Sequence, residues 1–267
     1  MENSFTISPS DQQSHIMSLP TVSVITPTYN RHAFIEQLIR CVRLQDYPQH
    51  LIELLIMDDS PEPIMIEDAW RGDLNIRVIL SEQKLTLGMK RNSLNRFAKG
   101  KIIIPFDDDD YYPPTRISHA VERLQTSGKQ LAGATLLFMW FPHSEHVNSL
   151  YLLGPYGPNH SCNGAMAYTQ AYAKKFQYDV SKNKGEEPAF TKNFTHPMVQ
   201  LNPALTMMSI AHTQNTVHKD EKFLTQCTLP NPEKFPDFPQ SNWLDFVKDE
   251  QSIAFYQRVF KLNAATE

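Results

Sequence analysis

The chain has 267 residues, 41% of them hydrophobic, and 25 lysines and arginines against 29 aspartates and glutamates, a formal charge of −4. Such a composition supports the packed core of one sizeable α/β domain or two small ones, argues against global disorder, and gives no basic excess for a nucleic-acid partner. Cys41, Cys162 and Cys227 lie far apart without Cys-x-x-Cys spacing, which points to reduced thiols in a cytoplasmic setting rather than a zinc knuckle, and no apolar run approaches the length of about 18 residues that a transmembrane helix needs.

Residues 1–19 are polar, lack the apolar centre of a signal peptide and read as a flexible tail. From residue 20 the pattern alternates. TVSVIT is a short β-branched strand. RHAFIEQLIRCVRLQ sets Phe34, Ile35, Leu38, Ile39 and Val42 on one helical face. ELLIMD and NIRVIL are further strands, GMKRNSLNRFAKG a helix closed by Gly100, KIIIPF a fourth strand, and PTRISHAVERLQTSG a helix with Pro114 near its first turn. Alternating strands and helices predict a mostly parallel sheet flanked by helices, in which ligands bind beyond the carboxyl ends of the strands. The polar clusters Thr28-Tyr29-Asn30, Asp58-Asp59-Ser60 and Asp107 to Asp110 fall at those ends.

After Leu131 the character changes. LAGATLLFMWF and VNSLYLL read as longer strands, GPYGPNHSCNGAM as a loop, AYTQAYAKKF as helical and ALTMMSIAH as an apolar segment. Prolines 230, 232, 236 and 239 suggest an extended linker. Ser241 then caps one helix, NWLDFVKDEQSIAFYQRVF, whose Trp243, Phe246, Ile253 and Phe260 form an apolar face that needs either the rest of the chain or a second copy as partner. The divisions are 20–128, 129–222 and 223–267.

Four consecutive aspartates after a core strand need a reason, since like charges repel. Hard divalent cations take oxygen ligands, and Mg²⁺ or Mn²⁺ often uses only one or two protein carboxylates plus phosphate oxygens. The D-x-D spacing of Asp107 and Asp109 suits that use. The alternative is a solvated acidic turn.

The set VSVITPTYNR, ELLIMDDSPEP, LTLGMKRNSLNRFAKGKIIIPFDDDD and YYPP resembles the nucleotide-sugar-binding half of glycosyltransferase family 2, with its GT-A (Rossmann-like) fold, over about Val22 to Phe194. The resemblance implies a donor site made by Thr26, Pro27, Tyr29, Asp58, Lys90, Arg91, Asp107 and Asp108, with Asp58 on the base and Lys90 and Arg91 near the diphosphate. It implies Asp109 and Asp107 as ligands of Mn²⁺ or Mg²⁺, with a late histidine, His212 or else His218, completing the sphere. It also implies an acceptor-side loop at Asn163 and Gly164, and a catalytic base at Glu187, or at Glu186, where the family more often has an aspartate. Read without the resemblance, Asp59 caps a helix, Arg91 pairs with a surface acid, and Asn92 and Asn95 are structural. The implied activity is metal-dependent, inverting transfer of one sugar from a nucleotide-sugar, a UDP-sugar by analogy, to an acceptor hydroxyl. The Q-x-x-R-W signature of processive synthases is absent. The alternatives are a sugar nucleotidyltransferase, disfavoured because VITPTYNRHAF has no glycine, and a non-catalytic scaffold.

Overall fold

The computed structural model describes residues 19–145, 147–217, 219, 221–229 and 242–262. Its spine is a sheet whose central strands β1 (Val22–Thr28), β2 (Ile52–Asp58), β3 (Asn75–Leu80) and β4 (Ile102–Pro105) run parallel in the order β3-β2-β1-β4. Period-two alternation sends Val22, Val24, Ile52, Leu54, Ile56, Ile102 and Ile104 to one face and Ile25, Leu55, Met57 and Ile103 to the other. Both faces are covered. Helices α1 (His32–Arg43) and α4 (Arg116–Ser127), on opposite sides of α2 (Asp68–Arg71) and α3 (Leu87–Phe97) in the chain, pack on the first face. Leu94 of α3 and Ala98 lie on the second. Near-continuous apolar strands are what a sheet buried on both sides demands.

LAGATLLFMWF is not one strand. It breaks into β5 (Leu131–Gly133), which stays in the main sheet, and β6 (Leu137–Trp140), which pairs antiparallel with β7 (Leu150–Leu153) in a second sheet. The predicted helix AYTQAYAKKF is also divided. Ala167–Thr169 forms β8, antiparallel to both β4 and β5, because Ala167 and Tyr168 are wholly buried between the two clusters. Thr169 then caps α5 (Gln170–Lys175) by accepting from the Tyr172 amide. A four-residue helix, α6 (Glu187–Phe190), precedes β9 (Val199–Gln200), the far edge of the main sheet, and β10 (Met208–Ile210) joins β6. The short α7 (Glu221–Leu224) leads to β11 (Cys227–Thr228) on β7.

The two halves touch where the site will form. A Cβ on Gly88 would lie 1.9 Å from the Asp179 carbonyl oxygen, so only glycine at the start of α3 lets the 179–183 segment cross it. Asn92 holds that segment from α3, donating to the Tyr178 carbonyl and accepting from its amide, and Asn95 accepts from Tyr168 Oη.

The predicted single C-terminal helix is two, α8 (Trp243–Phe246) and α9 (Glu250–Val259). Asn242 and Asp249 each cap one of them, and Ser241 and the prolines before it lie outside the described residues. Their apolar face is spent within the chain. Trp243 stacks on Trp140 at 4.2 Å, and Trp243, Phe246, Phe255, Tyr256 and Phe260 join the main core. Gln37 of α1 donates to Ser252 Oγ at 2.7 Å. Among the described residues no helix is long and apolar enough to cross a membrane. Replacing Trp243, which is 2% exposed, by alanine should destabilise the protein by about 3–5 kcal/mol, read as a lower midpoint in urea unfolding at unchanged slope.

Candidate active site

The carboxyl ends of β1 and β4 border a cleft of about 260 Å³, walled by the acidic run, Arg31, Arg91, Asn163 and Glu186-Glu187 among others. A second compartment of about 270 Å³ around Tyr29, Lys90 and Thr28 shares Pro27, Arg31 and Asp108 with it.

The four aspartates avoid mutual repulsion by turning to different partners. Asp107 accepts from Arg91 Nη2 at 3.2 Å. Asp108 accepts from Thr28 Oγ1 at 2.6 Å and from Arg31 Nη1 at 3.1 Å. Asp109 is bonded to His212 Nε2 and Asn215 Nδ2, both at 3.0 Å, and ion-paired with Arg31. Asp110 accepts from the Ile210 amide at 2.8 Å and from Ser209 Oγ, tying the run to β10. Burial works to raise the Asp109 carboxyl, but the His212 hydrogen bond and Arg31 outweigh it and hold it well below the ordinary range. Asp110 differs. Burial, opposed by Lys219 and helped by Asp109 and Asp107, pushes it up to about 8. Burial likewise raises Asp108, against the pull of Arg31.

Arg91 is 4% exposed and joins the two halves. Its Nε donates to Glu186 Oε1 at 2.8 Å and its Nη2 to Asp107, so its partners are buried or cleft-lining acids and not a surface one. Glu186 is thereby neutralised in place. Among the described residues Glu187 makes no ion pair of this kind. It is half-buried, and burial followed by the adjacent Glu186 raises its carboxyl above the ordinary value. Lys90 ion-pairs with Asp59 and donates to the Thr28 carbonyl at 2.6 Å; Asp59 also accepts from the Leu85 amide, so it braces the cleft instead of capping a helix.

Two predicted donor residues are turned away from the cleft. Asp58 is 1% exposed and its carboxylate accepts from the Ser60 amide, Ser60 Oγ and the Ile64 amide, which spends it on the 58–64 loop. Thr26 is wholly buried and donates to the Phe106 carbonyl, which leaves Pro27, Thr28 and Tyr29 as the wall. Asn163 and Gly164 form a 3₁₀ turn on the cleft floor, where a Cβ on Gly164 would meet Asp107 Oδ2 at 2.9 Å. His212 stacks on Phe34 at 5.2 Å beside Asp109, and His218 lies outside the described residues. Not foreseen were Arg31, Asn215, Tyr178 and Lys84, whose Nζ lies 3.3 Å from the Tyr29 ring centroid. Arg31 stood in the quoted TYNR motif, and its placement after a strand end was the one available signal.

Among the described residues no three His, Cys, Asp or Glu side chains are arranged as a metal centre. The donor chemistry nonetheless fits Mn²⁺ or Mg²⁺: the carboxylates of Asp107 and Asp109 face one cleft with the His212 imidazole beside them, and these ions take their remaining ligands from phosphate and water.

Residues 23–141 match the family described as Glycosyl transferase family 2. The poly(ribitol-phosphate) beta-N-acetylglucosaminyltransferase TarS of Staphylococcus aureus is 33% identical over 92 residues, 33% of this chain and 16% of that protein. A GalNAc(5)-diNAcBac-PP-undecaprenol beta-1,3-glucosyltransferase of Campylobacter jejuni is 29% identical over 97 residues, 34% of this chain and 30% of that one. The aligned part thus spans well under half of these curated relatives. Among solved structures, the mannosyltransferase PcManGT of Pyrobaculum calidifontis, in complex with GDP-Man and Mn²⁺, superposes with a TM-score of 0.56 at 15% identity, covering 75% of this chain and 60% of that one. TarS 1-349 in complex with UDP-GlcNAc gives 0.56 at 20% identity, covering 73% and 60%. The fold is therefore of the GT-A type, and residues 23–141 are similar to glycosyl transferase family 2.

The buried acids carry a pH signature. An Asp110 carboxyl near 8 in the folded chain and near 3.9 unfolded keeps its proton only when folded, so its contribution to stability is lost as pH rises through the folded value. The melting temperature measured with chelator should fall from pH 7 to 8.5, and Asp110→Asn should flatten that fall.

Proposed function

We propose that the protein transfers a single sugar from a nucleotide-sugar to an acceptor hydroxyl, with inversion at the anomeric carbon and with help from Mn²⁺ or Mg²⁺. One observation carries this reading. The acidic run and the Glu186-Glu187 pair wall a single cleft, and Arg91 links them. The family match and the nucleotide-sugars bound by PcManGT and TarS support a nucleotide-sugar donor, and TarS favours UDP.

Departure of a nucleoside diphosphate builds negative charge. Asp109 and Asp107 would hold the divalent cation, with His212 alongside, and the cation would offset that charge when bound. Tyr29 and Lys90 line the compartment suited to the nucleotide, Arg31 stands at its junction with the sugar end, and Arg91 lies on the sugar-end wall. The acceptor hydroxyl needs a base as it attacks. Glu187 suits that role better than Glu186, because Arg91 already claims Glu186 while Glu187 is cleft-lining, makes no ion pair among the described residues and is raised in basicity. One base, with no nucleophilic carboxylate required, implies a single displacement, which inverts.

Glu187→Gln should lower kcat by about 10²–10⁴-fold with little change in donor affinity. The product anomer, read by NMR, should be opposite to the donor's. A near-normal kcat would move the base elsewhere, and a retained configuration would discard the single displacement. Asp109→Ala should abolish the Mn²⁺-dependent part of UDP binding in calorimetry; equal UDP affinity of the unaltered protein in Mn²⁺ and in chelator would remove the metal from the mechanism.

A further inference from the structure

Asn163 is 2% exposed, lines the cleft, and has an Nδ2 with no hydrogen-bond partner among the described residues. An amide N–H buried without a partner costs on the order of 1–3 kcal/mol, so a fold that holds one at a cleft wall calls for an acceptor supplied by a ligand. The amide is oriented from behind. Tyr178 Oη donates to Asn163 Oδ1 at 2.5 Å, whereas the other oxygen near that hydroxyl, Tyr168 Oη, is 3.5 Å away and gives its own proton to Asn95. The Tyr178 proton therefore holds Oδ1 toward itself and leaves Nδ2 as the unpartnered end of a residue that lines the cleft.

Nothing in this arrangement is loose. The Tyr178 ring stacks on Phe190 at 4.1 Å and 6°, and its backbone is clasped on both sides by Asn92. Arg116, wholly buried, donates to the Gly164 and Met166 carbonyls and fixes the turn that carries Asn163.

We propose that Asn163 reads the transferred sugar, its Nδ2 donating to a sugar hydroxyl oxygen or to the carbonyl of an N-acyl substituent, and that Tyr178 is the positioning residue that keeps the amide in its donor orientation. This rests on the nucleotide-sugar reading above. The place supports the sugar over the nucleoside, since Asn163 shares its wall with Asp107 and Glu186-Glu187 and not with Tyr29 and Lys90. The chemistry divides the same way. A second unpartnered donor on that wall, Arg91 Nη1, carries full charge and suits an anionic oxygen; the neutral amide suits a neutral one.

The test is calorimetry on the full chain with Mn²⁺, titrating UDP and GDP and their hexose conjugates with and without a 2-acylamino group. The variants are Asn163→Leu, Tyr178→Phe and both together. The double variant removes both partners of the hydrogen bond, so it keeps the question open to measurement even if a single variant misfolds. Asn163→Leu should weaken the preferred nucleotide-sugar by about 3–10-fold and leave the free nucleoside diphosphate within about 2-fold. A loss confined to acylamino sugars assigns the carbonyl, and an equal loss across sugars assigns a hydroxyl. Tyr178→Phe should show the same selectivity alone and add nothing to Asn163→Leu. Equal losses for diphosphate and sugar conjugate, or no loss for either, overturn the assignment of Asn163. A further loss from Tyr178→Phe in the Asn163→Leu background overturns the positioning role. A wild-type chain that binds no nucleotide at all overturns the functional reading itself, and the assignment with it.

Discussion

The guanidinium of Arg91 is the contact on which the rest of the cleft depends. It leaves α3, in the first half of the chain, and binds Asp107 at the end of β4 and Glu186 at the start of α6. A cation this deep is expensive to desolvate, and only well-placed carboxylates on both sides make its burial tolerable. The reverse also holds. Without Arg91, Glu186 would be a buried charge with no cation, facing Asp107 across the same cleft. The ion triad therefore sets how closely the two halves approach, and with that the separation between the acidic run and Glu187.

The same logic explains how four aspartates can follow a core strand. Each carboxylate points to a different element: Asp107 to α3, Asp108 to β1 and Arg31, Asp109 to the 212–215 segment, and Asp110 to β10. The run works as a four-way junction. Its repulsion is offset by Arg31 at two of its members, by backbone and hydroxyl donors, and by protonation of the most deeply placed acids. Arg31 also donates to the Gln214 carbonyl, which draws the 212–217 segment onto the cleft.

The parallel half was legible in the sequence because local pattern and final environment agree. NIRVIL is a strand in both, and Phe34, Ile35, Leu38, Ile39 and Val42 face the core as their spacing requires. The reading failed where tertiary neighbours decide. Nothing local in Ala167-Tyr168-Thr169 says that β4 and β5 will close on it from both sides. The broken C-terminal helix was readable in principle, since Asp249 with Ser252 three residues on is a capping signal, but the apolar spacing masked it. In the site, the clustered acids stood out because such clusters need a reason. Asp58 is expected at the donor base, and its carboxylate bonds Ser60 and Ile64 of its own loop, whereas Arg31 and Asn215 escape a local reading because Asp109 is 78 and 106 residues away from them. Tyr178 carries no motif at all, and its role exists only once Asn163 has been placed beside it.

The charge balance of the cleft completes the argument. Six carboxylates, Asp107 to Asp110, Glu186 and Glu187, face Arg31, Arg91, Lys184 and Lys219. Burial raises both Asp108 and Asp110, so the charged acids and the cations come close to balance, and Arg31 and Arg91 are already committed to ion pairs. Under the proposed function, a nucleoside diphosphate entering alone would add its own negative charge to a poorly solvated space with no cationic surplus, where repulsion is weakly screened. A divalent cation arriving with the diphosphate offsets that charge. It also gives Asp107 and Asp109 a stronger partner than the protein itself provides. The lack of free cationic charge in the cleft is thus a physical ground for the proposed metal dependence that does not depend on the D-x-D spacing, and it follows from the same crowding of carboxylates that Arg91 makes possible.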